Sequence, residues 1–328
     1  MSRDRIQRLL LLASAIAVFA TLAALVFIGL RIPDRFATEV WTAHYFHGTI
    51  PQPPFLAGST LEVSSDRSPQ LRELHFYVFG SDAGGRDLLA LTARAVVPSL
   101  ELVVLTLIAR MVLGIGAGFL IAAGTEPLRT IARSAGTWIA GFPYLALAVL
   151  VIQSFTGGPS TVAGPGRTRL IGFVVAIAVV GWRDVAELVA SRMQWVDAQP
   201  FALGARAVGS SGLGLFRRHV WPYLRQALTI ELSFQASAVL VLLAELGFLQ
   251  YYLGGFIQLF EEPQPGRVAP SFQLATSPEL GQMMSDVRLY LLRQEFAPAL
   301  VPALTLALAA LSFELLGRAL RGRTDLPT

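Results

Sequence analysis

The sequence predicts an all-α polytopic membrane protein of six transmembrane helices, and three observations carry that prediction. Only 15% of the 328 residues are charged and 54% are hydrophobic, with a mean hydropathy of +0.57; soluble domains carry about 25% charged residues. The apolar residues gather in long runs, and a run of about 20 spans hydrocarbon as a helix because no water is there to satisfy a free backbone group. Six spans with both chain ends cytoplasmic leave arginines in every inside segment, while the longer outer segments balance theirs with acids, in agreement with the positive-inside rule.

The first span is Leu9–Leu30, preceded by Arg3, Arg5 and Arg8, which favour a cytoplasmic N-terminus. A secretory signal peptide has the same basic start, but this run exceeds a usual signal core and no clear cleavage site closes it before Arg31. Residues 31 to about 94 are polar, proline-bearing and aromatic, and read as an extracytoplasmic segment of loop and short helix. Its end, FGSDAGGRD at Phe79–Asp87, offers Ser81 or Asp82 as a helix cap and Asp87 as an acid favouring the start of a short amphipathic helix. The second span runs from about Val97 to Ala123, with Arg110 near its mid-depth. The third, about Gly136 to Phe155, is interrupted by Gly141 and Pro143. The fourth is short: Leu170–Trp182 rises roughly 20 Å against a core near 30 Å. It must continue past Arg183 and Asp184, where Arg183 and Glu187 stand one turn apart. The fifth and sixth run from about Ala227 to Leu249 and from about Ala297 to Leu316. The inside segments then hold Arg129 and Arg133, next Arg183 through Arg225, and last Arg318, Arg321 and Arg323.

Composition excludes several chemistries. There is no cysteine, hence no disulfide, thiolate metal site or cysteine nucleophile. All 26 basic residues are arginine; without lysine there is no P-loop and no Schiff base. Asparagine is also absent, and a GC-rich bacterial coding sequence accounts for both gaps. The net charge of +4 fits cytoplasmic anchoring of a membrane protein better than nucleic-acid binding. No cofactor is expected.

Between the fourth and fifth spans lies a segment of about 197–222 that holds ARAVGSSGLGLFRRHVWP, Ala205–Pro222. Phe201, Ala205 and Val208 fall at i, i+4 and i+7, one face of a short helix, and Gly209 follows where a helix commonly ends. Leu213–His219 can form a second short helix with Arg217, Arg218 and His219 at its C-terminal end. Such a knob could fit a groove on a soluble partner, although a basic inside loop is by itself generic.

Here the chain resembles a known family. ARAVG, then twelve residues, then Pro222 resembles the cytoplasmic "EAA" loop of ABC-importer permeases. FGSDAGGRD resembles the "LGTDxxGRD" segment of one branch, the second permease of dipeptide, oligopeptide and nickel importers. Gly141–Pro143 (GFP) and Gly181–Trp182 (GW) sit where similar motifs occur, and FELLGRALRGRTD at Phe313–Asp325 is similar to that branch's C-terminal end. The likeness covers nearly the whole chain. It departs in two places: Leu203 and Gly204 stand where the loop motif opens with glutamate and alanine, and the insert Phe256–Thr276 is longer than usual. The lost carboxylate removes any ion pair it would make with the ATPase.

The resemblance implies a type I importer permease in a bacterial inner membrane, with both termini cytoplasmic. It would comprise an N-terminal helix and extracytoplasmic segment over 1–94 and a five-helix permease core over 95–328. Its partners would be a second permease, two cytoplasmic ATPases and an extracytoplasmic binding protein. The chain would form half of a path for peptides, with nickel a lesser candidate, and would carry out no catalysis of its own. Coupling to the ATPases would fall to Phe201, Leu203, Ala205, Arg206, Val208, Gly209, Leu213, Arg217, Arg218, His219 and Pro222.

Arg110, Glu231 and Glu245 lie within spans, where ionisable groups default to function. Glu231 and Glu245 sit near opposite ends of their helix and can reach interfacial water; Arg110 either faces the path or pairs with a carboxylate of a neighbouring helix. His44, His47 and His75 share the outer segment; imidazole ligates nickel and zinc, but ordinary surface histidines are the favoured reading. The rival classes are a proton-coupled carrier, which Arg110 and the two glutamates would serve, and a polytopic enzyme. The enzyme reading lacks HExxH, GxSxG and paired aspartates within the spans.

Overall fold

The computed structural model describes residues 3–38, 46–47, 51–63, 69–156, 166–207, 212–260, 271–276 and 278–321. The chain opens with α1 (Arg3–Arg31), and α2 (Arg35–Thr38) buries Phe36 and Ala37. An antiparallel sheet follows, in the order β1 (Phe46–His47), β2 (Leu56–Val63), β3 (Pro69–Tyr77), with Leu56 opposite Tyr77 and Val63 opposite Pro69. This corrects the expected loop-and-helix segment. Its sequence signal is the β-prone run Leu74–Phe79, but strand pairing depends on residues far along the chain.

α3 (Leu88–Ala123) starts on Asp87, whose side chain accepts the Ala90 N–H at 2.8 Å. The expected short helix and second span are thus one helix, about 54 Å long at 1.5 Å per residue, well beyond the hydrocarbon thickness. α4 (Glu126–Ala140) and α5 (Tyr144–Thr156) meet at 106°. The expected third span is therefore a broken helix, because Pro143 has no N–H to continue the ladder and disfavours helical geometry at Phe142. α6 (Gly166–Asp197) runs unbroken through Arg183 and Glu187, which pair at 2.6 Å.

α7 (Pro200–Ala207) and α8 (Gly212–Leu215) come next. A π-turn at Phe216–Val220 then leads directly into α9 (Trp221–Phe248). The expected separate helix Leu213–His219 is instead the widened start of α9. Pro222 cannot donate to the carbonyl four residues back, and a π-turn absorbs that missing bond. The insert forms a hairpin of β4 (Phe256–Phe260) and β5 (Ser271–Ala275). A 3₁₀ turn at Gln282–Met284, α10 (Val287–Leu292) and α11 (Phe296–Arg321) complete the fold.

α3 packs along α6, α9 along α11, α5 on α6, and α1 bridges α3 and α11. The main core joins Leu102, Val103, Ile152, Phe173, Ile177, Leu240, Leu243 and Leu306. A second core lies toward the 197–222 loop and joins Val185, Val189, Met193, Val196, Val220, Leu224 and Leu228 to Met111, Ile115 and Phe119. α3 reaches α6 closely there because Gly114 and Gly118 lack side chains; a Cβ on Gly118 would stand 2.6 Å from the Ala186 carbonyl oxygen. We call the two ends of this bundle the sheet end and the loop end.

The chain is thus chiefly helical, consistent with the expected all-α polytopic fold, and carries two small sheets beside its helices. Among the described residues, four helical runs are long and apolar enough to cross a membrane, or five if the bent α4–α5 pair is one span. The expected six rest on α6, whose apolar stretch Leu170–Trp182 is bracketed by Arg169 and by Arg183 and Asp184.

Candidate functional site

The loop end is built where α6 turns into α7. Gln199 N–H bonds the Val196 carbonyl at 3.0 Å, and Pro200 begins α7, a position where a missing N–H costs nothing. Ala202 is fully buried, whereas Phe201 is 47% exposed and Leu213 is 65% exposed. The Phe201 ring lies 5.4 Å from the His219 ring, so α7 and the π-turn touch. Phe216 stands edge-on to Phe119 at 5.7 Å, which ties the turn to the end of α3. Arg217 and Arg218 are exposed, and Val220 is buried in the second core. Pro222 lies in the first turn of α9. The structure thus gathers Phe201, Leu213, Arg217, Arg218, His219 and Pro222 at one end. Leu203, Ala205 and Arg206 are positions on α7, while Val208 and Gly209 lie outside the described residues.

Farther up the bundle is a buried polar layer. Arg110 is 3% exposed; its Nε donates to the Ile177 carbonyl of α6 at 2.8 Å, and its Nη1 donates to Gln235 Oε1 of α9. The Gln235 Nε2 donates to Glu231 Oε1 at 2.8 Å and reaches Asp184 Oδ2 at 3.4 Å. Arg110 therefore meets the carboxylates through an amide. It shares a layer with Asp184 and Glu231, and Phe234 beside Gln235 packs under Arg321 at the end of α11. Glu245 is exposed about 21 Å further along α9, taking 1.5 Å per residue, so the two glutamates are not one site. Sequence reading missed Gln235, although an amide one turn after Glu231 within an apolar run is a legible sign.

The sheet end holds a denser knot. Asp82 Oδ1 accepts the N–H groups of Gly84 and Arg86, both at 2.9 Å, and Oδ2 takes the Arg86 guanidinium at 2.9 and 2.7 Å. Asp87 Oδ2 pairs with His75 Nε2 at 2.9 Å, and the His75 ring stacks on Phe36. Tyr77 donates to the Gly85 carbonyl, and the Ala83 N–H donates to the Tyr290 hydroxyl of α10. His75 is thus engaged by neighbours; His47 is on β1 and His44 lies outside the described residues. Among the described residues no three metal-ligating side chains converge. Nearby, Leu280 N–H bonds Ser99 of α3, and Glu279 is 1% exposed. Burial pushes the Glu279 carboxyl up to about 7, partly offset by the Leu253 and Gln282 N–H groups; among the described residues neither oxygen has a well-formed hydrogen bond.

No family model matches the chain. It is 28% identical over 256 residues, 76% of its length and 72% of the relative's, to the di/tripeptide transport system permease protein DppC of Pseudomonas aeruginosa strain UCBPP-PA14. It is 27% identical over 186 residues, 56% of its length, to the glutathione transport system permease protein GsiD of Escherichia coli and of Shigella flexneri, and spans about half the length of those proteins. These homologues support the C-type permease family that the motifs resemble.

Proposed function

We propose that this chain is the membrane-spanning permease subunit of a bacterial ATP-driven peptide importer, the C-type partner of a permease heterodimer. The observation that carries this reading is the loop end. In a chain related to two transport permeases, an aromatic and basic knob formed by α7 and the π-turn stands exposed, anchored from beneath by the second core. Exposed Phe201 and Leu213 beside Arg217 and Arg218 have the composition of a docking surface for a soluble partner. Two cytoplasmic ATPases are the proposed partners, with a binding protein at the sheet end.

On this reading α1, α3, the α4–α5 pair, α6, α9 and α11 are the six crossings, and both termini and the loop end face the cytoplasm. Residues 1–94 form the first helix and the outer segment, and residues 95–328 form the permease core. The chain itself performs no bond-making chemistry. ATP binding closes the ATPases, the knob moves with them, and the helices above it alternate access to a path shared with the second permease. Small peptides are the cargo class, in keeping with relatives named for di/tripeptide and glutathione transport.

The test is reconstitution. The chain purified with co-expressed partners should retain ATPase subunits and give peptide uptake that stops when ATP is withheld. Uptake driven by a proton gradient without any ATPase would replace this reading with a secondary carrier.

A further inference from the structure

The Arg110 layer sits where three helices could otherwise slide. Apolar helix faces in a bilayer have little to set their axial register, so packing and interhelical hydrogen bonds decide it. A guanidinium is a rigid planar fork that satisfies a carbonyl and an amide at only one relative offset. Here that fork joins α3 to α6 through Ile177 and to α9 through Gln235, and Gln235 turns back to Asp184 on α6. Its seat is made by Gly181: a methyl group there would stand 2.2 Å from Arg110 Cζ.

Below this layer, α6 and α9 are the two flanks of the 197–222 loop, and both pack with the end of α3 in the second core. Asp184 lies 13 residues before the end of α6, and Gln235 lies 14 residues after the start of α9. Each distance is roughly 20 Å of helix. The layer therefore closes the top of a block whose lower end is the loop.

We propose that Arg110 is a positioning residue that locks α3, α6 and α9 into one lever, so that displacement of the loop moves the three helices together. It does this without touching cargo. The inference rests on the permease reading for its consequence, while the lock itself is a property of this chain alone.

Two measurements separate these. The chain is naturally free of cysteine, so spin labels at Arg192→Cys on α6 and Gln226→Cys on α9 report the spacing of the loop flanks in the full chain in lipid nanodiscs. Wild type should give one narrow distance; Arg110→Met and Gly181→Ala should each broaden it, and so should Gln235→Leu, which removes both the acceptor for Arg110 and the donor to Asp184. In the reconstituted transporter, Arg110→Met and Gly181→Ala should raise ATP hydrolysed per peptide imported by about fivefold or more, with half-saturation by peptide within about twofold. The double variant should be no worse than the worse single, because both remove the same contact. Arg110→Lys keeps the charge but loses the fork, and should fall with them.

A narrow distance in folded Arg110→Met would overturn the lock. Half-saturation shifted about tenfold at unchanged ATP per peptide, with Arg110→Lys restoring it, would make Arg110 a cargo contact and overturn the inference. A wild-type complex without ATP-driven uptake would overturn the functional reading instead, and the distances would still decide the lock.

Discussion

The two ends of the bundle use polar residues in opposite ways. At the sheet end, residues 80 to 93 are buried, and Asp82, Arg86, Asp87 and His75 meet one another or nearby backbone. At the loop end, Arg217 and Arg218 lie in solvent beside exposed Phe201 and Leu213. Buried polar groups that satisfy one another hold a shape, because each would be costly to strand. Exposed aromatic and basic groups stabilise little within their own chain. The contrast teaches that the motif FGSDAGGRD is a joint between the sheet, α3 and α10, whereas Phe201, Leu213, Arg217 and Arg218 form a surface.

The sharpest way to break this comparison is Asp82→Ala. It removes the acceptor of two backbone N–H groups and the carboxylate that takes the Arg86 guanidinium, which is 4% exposed. The expected loss is about 3–5 kcal/mol, read as a fall in melting temperature and yield in detergent. A loss below about 1 kcal/mol would put the sheet end on the same footing as a surface.

Glu279 gives a pH signature to the same end. Its folded value, about 7, lies above the ordinary carboxyl value of 4.5. The folded chain therefore keeps a proton that the unfolded chain has already released between those values. Stability is full below about pH 4.5, declines as pH rises, and levels off above about 7, with an amplitude of up to about 3 kcal/mol. Melting curves from pH 4 to 8 should show that decline in wild type and lose it in Glu279→Gln. Equal slopes in the two would mean that the carboxyl finds a partner on ionising.

At the loop end the pattern should reverse. Arg217→Ala with Arg218→Ala should change stability by no more than about 0.5 kcal/mol. The same pair should weaken capture of the ATPase subunits about tenfold or more, measured by titration of the purified complex. The smallest effect is expected of Leu203→Glu, which restores the acid usual in the loop motif: uptake by the reconstituted complex should stay intact. Loss of uptake in that variant would show that the docking groove excludes the acid.

Much of this molecule was open to a reader of its sequence. Membrane class and the break at Gly141–Pro143 follow from hydropathy and from proline's missing N–H, which act within a turn or two of themselves, whereas the cap offered at Ser81 or Asp82 falls to Asp87 and α9 starts at Trp221, ahead of the expected Ala227. The region around Arg217 to Pro222 was legible as basic and exposed for the same reason.

Tertiary structure alone decided the rest. The three-stranded sheet pairs Leu56 with Tyr77 and Phe46 with Thr60, and strand register is a choice between distant segments. The Ala83 N–H finds Tyr290 across 207 residues, and Arg110 finds Gln235 across 125. A lone arginine in an apolar run announces that it needs partners, since stranding it would be costly. Which partners it gets depends on the axial offset of three packed helices, and here on the space Gly181 leaves open. Local chemistry sets what each segment is, and close packing selects which buried polar groups meet.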